Sequence, residues 1–220
     1  MTETIGHGPV TRSVHVPVDS VDLTGILAVP AEPRAIVVFA HGSGSTHASP
    51  RNLAVARVLE HGGFATLRFD LLSPEEAADR ANVFDVETLA DRLLSARIWL
   101  GRRADTAGLP ACYFGASTGA AAALIGAARR PAAVSAVVSR GGRPDLAGDW
   151  LPLVEAPTLL IVGEHDTAVI ELNRRAAARL KCRHQLAIVP GAGHLFEEPG
   201  TLAEVARLAA AWLSGLVPRL

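Results

Sequence analysis

The sequence predicts an α/β fold, a doubly wound and mainly parallel sheet of about eight strands with helices on both faces. Three observations lead there. Short runs that are apolar nearly throughout, each bounded by Gly, Pro or Asp, recur along the chain, as strands buried on both faces require. Longer segments with apolar residues at helical spacing alternate with them. Residues able to do chemistry stand just past the ends of several runs, where a parallel sheet gathers its ligands. With 220 residues, of which 49% are hydrophobic, the chain can fill one sizeable core and is short for two. One domain over residues 13–220 is expected, after a tail of residues 1–12.

Residues 13–18 alternate through Val14, Val16 and Val18, and residues 23–29 follow after a short turn. They read as a hairpin opening the sheet, with Pro17 favouring an edge. Residues 35–40 are a continuous apolar run, a strand buried on both faces, ending in His41, Gly42, Ser43, Gly44 and Ser45. A helix over residues 50–60 puts Leu53, Val55, Val58 and Leu59 near one face, and Gly62 and Gly63 stop it. Residues 64–69 form the next strand, which ends at Asp70, and residues 71–82 are read as an acidic loop. Asp85 can cap a helix whose stripe is Val86, Leu89, Leu93, Ala96 and Leu100. A strand over 109–114 and an alanine-rich helix over 120–128 come next. Residues 133–138 and 158–162 are again nearly all apolar; the first ends in Ser139 to Gly142, the second in Gly163, Glu164, His165 and Asp166. A helix over 169–180, a strand over 185–189, the loop Gly191 to His194 and a last helix over about 202–213 complete the pattern.

The centre of this pattern is Gly115-Ala116-Ser117-Thr118-Gly119, a G-x-S-x-G motif between a strand and a helix. A serine that must lift its hydroxyl above a sheet sits in a sharp, strained turn, and side chains two residues to either side would collide with it. The following helix then aims its N-terminal dipole and free N–H groups at the space over the hydroxyl. The competing role for Ser117 is an ordinary helix cap. A serine hydroxyl becomes a useful nucleophile only beside a base whose tautomer a third group fixes. Ser117, Asp166 and His194 all follow strands whose carboxyl ends converge on one edge of a parallel sheet. Asp145 is the rival acid, and His41 the rival base, although a hydrogen bond bracing its own loop suits His41 better. Arg140, at a strand end, could hold an anionic substrate group; an ion pair with Asp145 or Asp149 is the simpler expectation.

Formal net charge is −1, and no window mixes basic with aromatic residues, which argues against nucleic acid. Residues 1–12 lack a basic start followed by an apolar run, and no stretch reaches the roughly 20 apolar residues of a membrane span. No membrane partner and a cytoplasmic location are therefore expected. Cys112 and Cys182 are expected as free thiols, with neither a disulfide framework nor a metal site.

On these motifs the chain resembles the α/β-hydrolase superfamily and, within it, the small lidless dienelactone-hydrolase-like group, over residues 13 to about 213. The resemblance implies the α/β-hydrolase fold without cofactor or metal. It implies Ser117 as nucleophile, Asp166 as acid and His194 as base, with the N–H groups of Ser43 and Thr118 forming the oxyanion hole. The namesake enzymes of the group carry cysteine at the elbow and arginines that hold a substrate carboxylate. Here the elbow holds serine, and Glu197 and Glu198 follow His194 where they would repel a carboxylate. Close relatives resemble bacterial domains fused to, or encoded near, phosphoribosyltransferases, so such an enzyme is the implied partner. Many lipases and epoxide hydrolases of the superfamily insert a cap before the strand that starts here near Thr158; residues 140–157 leave room only for a short helix and its turns. The reading is a serine hydrolase of a small ester or related acyl substrate, with a shallow cleft favouring short acyl chains. A catalytically idle binding or regulatory domain and an acyltransferase are the alternatives.

Overall fold

Two strands at the start of the chain, β1 (Val10–Val18) and β2 (Val21–Val29), pair antiparallel from Val10 opposite Val29 to Val18 opposite Val21. The computed structural model describes residues 8–18 and 21–218. Residues 1–7 of the expected tail and residues 19–20 of the hairpin turn lie outside the described residues. β1 takes in Val10, Thr11 and Arg12, which the sequence reading gave to the tail.

The remaining strands are β3 (Ala35–Ala40), β4 (Phe64–Phe69), β5 (Ala111–Ala116), β6 (Ala136–Arg140), β7 (Thr158–Gly163) and β8 (His184–Val189). The eight form one sheet in the order β1-β2-β4-β3-β5-β6-β7-β8. β2 meets β4 antiparallel, and every pairing from β4 to β8 is parallel. Strands β3 to β7 are buried at every residue, which is why β3, β5 and β7 show no polar alternation. β4 does alternate, and its buried Thr66 and Arg68 bond Glu60 at 2.6 Å and the His47 carbonyl at 2.8 Å. β6 starts later than the apolar run suggested, because Pro131–Ala133 is taken up by a turn of 3-10 helix.

The period-two alternation of the strands divides the core into two layers. On one face Ala35, Val37, Phe39, Phe114, Val138 and Ile161 pack under helices α1 (Pro50–His61) and α7 (Thr201–Leu216). The rings of Phe39 and Phe114 lie 4.9 Å apart between centroids. On the other face Ile36, Val38, Tyr113, Val137 and Leu160 meet α4 (Val86–Gly101) and α5 (Thr118–Arg129), with Ala176 of α6 (Thr167–Arg179). From Thr118 to Ala128 α5 is buried throughout, so its run of alanines is what lets it lie inside the molecule rather than on it.

Residues 71–82, expected as a loop, instead contain α2 (Pro74–Ala77) and the start of α3 (Arg80–Phe84). The cause is local. Ser73 and Glu76 form a reciprocal capping box, and Asp79 accepts the N–H of Ala81 at 2.8 Å to start α3. Glu76 also reaches Arg92 of α4 at 2.6 Å, which ties these helices to the main body. Between β6 and β7 a 3-10 segment, Pro144–Leu153, broken at Gly148, fills the gap, and there is no cap domain. No described helix is long and apolar enough to cross a membrane. Both cysteines are free thiols, and burial pushes Cys112 up to about 12.

Candidate active site

β5 ends at Ala116, and the chain turns so sharply into α5 that Ser117 adopts φ 51°. Among the described residues only Phe196 shares a positive φ without being glycine, so the strain is confined and marked. Two backbone bonds hold it: Ser117 N–H donates to Arg140 O at 3.3 Å, and Arg143 N–H donates to Ser117 O at 3.0 Å. Ser117 occupies the N-cap position of α5 but makes no side-chain cap bond, so the capping role fails on geometry. Its hydroxyl has no hydrogen-bond partner among the described residues. A Cβ on Gly119 would run into the carbonyl oxygens of Ala40 and His41 at the end of β3. Gly119→Ala is therefore expected to force the elbow off the sheet at a cost of roughly 3 kcal/mol or more. Chemical denaturation would measure it; a loss under about 1 kcal/mol would contradict this packing.

Asp166 follows β7 and stands at the N-cap of α6, yet it too makes no cap bond. Its carboxylate turns to His194 instead, whose Nδ1–H donates to Asp166 Oδ2 at 2.6 Å. The acid is the more sheltered partner, with 14% of its side chain exposed against 42% for His194. This bond fixes the tautomer that leaves Nε2 free to accept a proton. The His194 loop is braced from both sides: Gly191 N–H donates to Glu164 at 2.8 Å and Gly193 N–H to Glu198 at 3.0 Å. Its own backbone N–H and that of Gly193 hold the Glu198 carboxyl below the usual carboxylate range. Glu197 lies 3.2 Å from Arg51 of α1, so the two glutamates beyond His194 are engaged by their own partners. Gly141, at φ 51°, passes beneath His194, where a Cβ would sit 3.1 Å from the His194 oxygen. Buried Asn173 holds that turn through Gly142 O at 3.0 Å, a support the sequence reading missed.

The loop after β3 brings Gly42 so close that a Cβ there would lie 2.8 Å from Ser117 Cβ. Ser43, the next residue of this loop, and Thr118, at the first turn of α5, line the same cavity. His41 braces this loop with both ring nitrogens: Nδ1–H donates to Gly42 O at 3.0 Å and Nε2 accepts Leu71 N–H at 3.0 Å. A second clamp was not foreseen. Asp70, at the end of β4, accepts His47 N–H at 2.6 Å and the His47 ring at 2.8 Å.

Burial lowers the pKa of His41 from its ordinary 6.5, against smaller opposing effects of the Gly42 carbonyl and Asp70. A histidine depressed in the fold binds fewer protons than in the unfolded chain. Its contribution is complete above 6.5 and is lost as pH falls below that value. His41→Gln should therefore give a shallower decline of stability between pH 7 and 5 than the parent; parallel declines in urea melts would contradict this.

Asp145, the rival acid, forms a two-pronged pair with Arg143 at 2.9 and 2.8 Å and does not reach His194. Asp149 pairs with Arg179 at 2.9 Å. The expected ion pair of Arg140 with either carboxylate is thus wrong. Because β6 alternates, Arg140 points to the α1 face, where it is 9% exposed and meets Asn52 at 3.5 Å, and burial pushes it down to about 10.

Next to the elbow lies a cavity of about 360 Å³, bounded by the loop from His41, the turn after β4 and the α2–α3 segment, with Thr118 in its wall. Residues 140–145 take no part in its wall.

An eight-stranded, mainly parallel sheet with a strained serine between β5 and α5 defines an α/β hydrolase. Residues 23–215 match the dienelactone hydrolase family, and the chain belongs to it. It is 51% identical to a dienelactone hydrolase from Anabaena variabilis, whose crystal structure superposes with a TM-score of 0.92 over 96% of this chain and 100% of that one. Est1E from Butyrivibrio proteoclasticus, at 16% identity and a TM-score of 0.80 over 93% and 98% of the two chains, shares the fold. Two Mycobacterium tuberculosis proteins, from strains CDC 1551 and H37Rv, are 61% identical over 201 residues, 91% of this chain. Each is named "Putative phosphoribosyl transferase", and this chain spans 45% of their length.

Proposed function

We propose that the protein is a serine hydrolase that cleaves a small ester or related acyl substrate through an acyl-enzyme on Ser117. The observation that carries this reading is the 2.6 Å bond from His194 to Asp166 at the same sheet edge as a serine whose hydroxyl is left unpaired. His194 Nε2 takes the Ser117 proton as Oγ bonds to the acyl carbon. The carbon–leaving-group bond then breaks, and His194 returns the proton to the departing oxygen. Water, activated by the same imidazole, releases the acid and restores Ser117. The N–H groups of Ser43 and Thr118 hold the oxyanion, each worth about 2.7–4 kcal/mol in comparable sites.

The test is a panel of p-nitrophenyl esters, lactones and thioesters. At least one should turn over. A panel with no turnover at all would contradict the reading. Product analysis with added alcohols separates hydrolysis from acyl transfer.

A second reading comes from the names of the Mycobacterium tuberculosis relatives. There the domain serves a phosphoribosyltransferase as a binding or regulatory partner, with no chemistry of its own. An idle domain leaves Ser117 unreactive, so a fluorophosphonate reagent discriminates between the two.

A further inference from the structure

The cavity beside the elbow lies on one particular side of Ser117. Gly42, Ser43 and Thr118, the oxyanion side of the elbow, contribute to its wall, whereas neither Ser117 nor His194 does. A base that must protonate the leaving oxygen has the leaving group on its own side, so the space across the oxyanion loop falls to the acyl half of the substrate. Leu71, Leu72, Pro74, Ala77, Val83 and Leu89 make that space largely apolar. Its charged member, Asp70, has both carboxylate oxygens engaged by His47, at 2.6 and 2.8 Å, and adds a negative charge that an anionic tail would have to approach.

We propose that this cavity is the acyl-binding site, and that it selects an uncharged, apolar acyl group of medium length. The proposal rests on the serine-hydrolase reading above and moves its substrate away from the short acyl chains expected from sequence. That expectation rested on residues 140–157 being too few for a cap, and it took residues 71–82 as an acidic loop. α2 and α3 instead supply Ala77 and Val83 as a wall, and the resulting 360 Å³ lies within the usual range of small-ligand sites. Each methylene moved from water into such a wall can raise kcat/KM by up to about fourfold.

The experiment compares p-nitrophenyl acetate, hexanoate and the adipate monoester in the parent protein, Val83→Trp and Ala77→Trp. Ala77 is exposed on a short surface helix, so its variant carries no core burden. For the parent, hexanoate should exceed acetate in kcat/KM by at least about tenfold, and the terminal carboxylate of the adipate ester should remove most of that gain. Either tryptophan should bring the hexanoate-to-acetate ratio of kcat/KM down to about one. A flat or falling profile in a parent whose Ser117 still reacts with a fluorophosphonate would overturn the acyl site alone. Equal losses on acetate and hexanoate in both variants would do the same. An unreactive Ser117 would overturn the hydrolase reading and this proposal with it.

Discussion

Ser117→Ala lowers turnover of an activated short-chain ester by on the order of 10⁴–10⁶-fold while leaving stability within about 0.5 kcal/mol of the parent. The activity loss is large because no neighbouring hydroxyl can replace Oγ at the elbow; the residual rate comes from the oxyanion donors and substrate binding. The stability change is small because the hydroxyl caps nothing, and because alanine at φ 51° faces the same backbone strain as serine. Steady-state kinetics with parallel urea melts checks both halves. Activity near the parent level would remove the elbow from the mechanism, and a large loss of stability would show that the hydroxyl has a structural role.

Asp166→Asn has the second largest effect, a fall in kcat of about 10³–10⁴-fold. An amide can offer its NH2 to Nδ1 and so favour the tautomer with the proton on Nε2, the atom that must accept the Ser117 proton. Asp145→Asn provides the control. Its carboxylate is held by Arg143 and does not touch the base, so kcat should change by less than about threefold. The reverse order of effects would make Asp145 the acid.

How much of this was legible in the sequence depended on the kind of signal. β3 and β4 were read with both ends correct because each stops at a residue with an obvious duty, His41 or Asp70. The residues at the strand ends were legible for the same reason: a parallel sheet turns separate positions along the chain into neighbours at one edge. The α2–α3 segment was read as a loop because its helices are too short for an amphipathic period. Yet Ser73, followed three residues later by Glu76, is a capping signal that could have been used. The fate of Arg140 was not legible. Charges close in sequence suggested Asp145 or Asp149, whereas the alternation of β6 turns the side chain to the opposite face, toward Asn52. The Asp70–His47 clamp joins residues far apart in the chain and leaves no local pattern.

The most direct test of the central claim is the position of a fluorophosphonate adduct, read by peptide mass spectrometry on the full chain. The account predicts one adduct per molecule, on Ser117, and labelling slowed by orders of magnitude in His194→Ala, where no base can take the Oγ proton. An adduct on any other residue, or an unlabelled Ser117 in a fully folded protein, would contradict it.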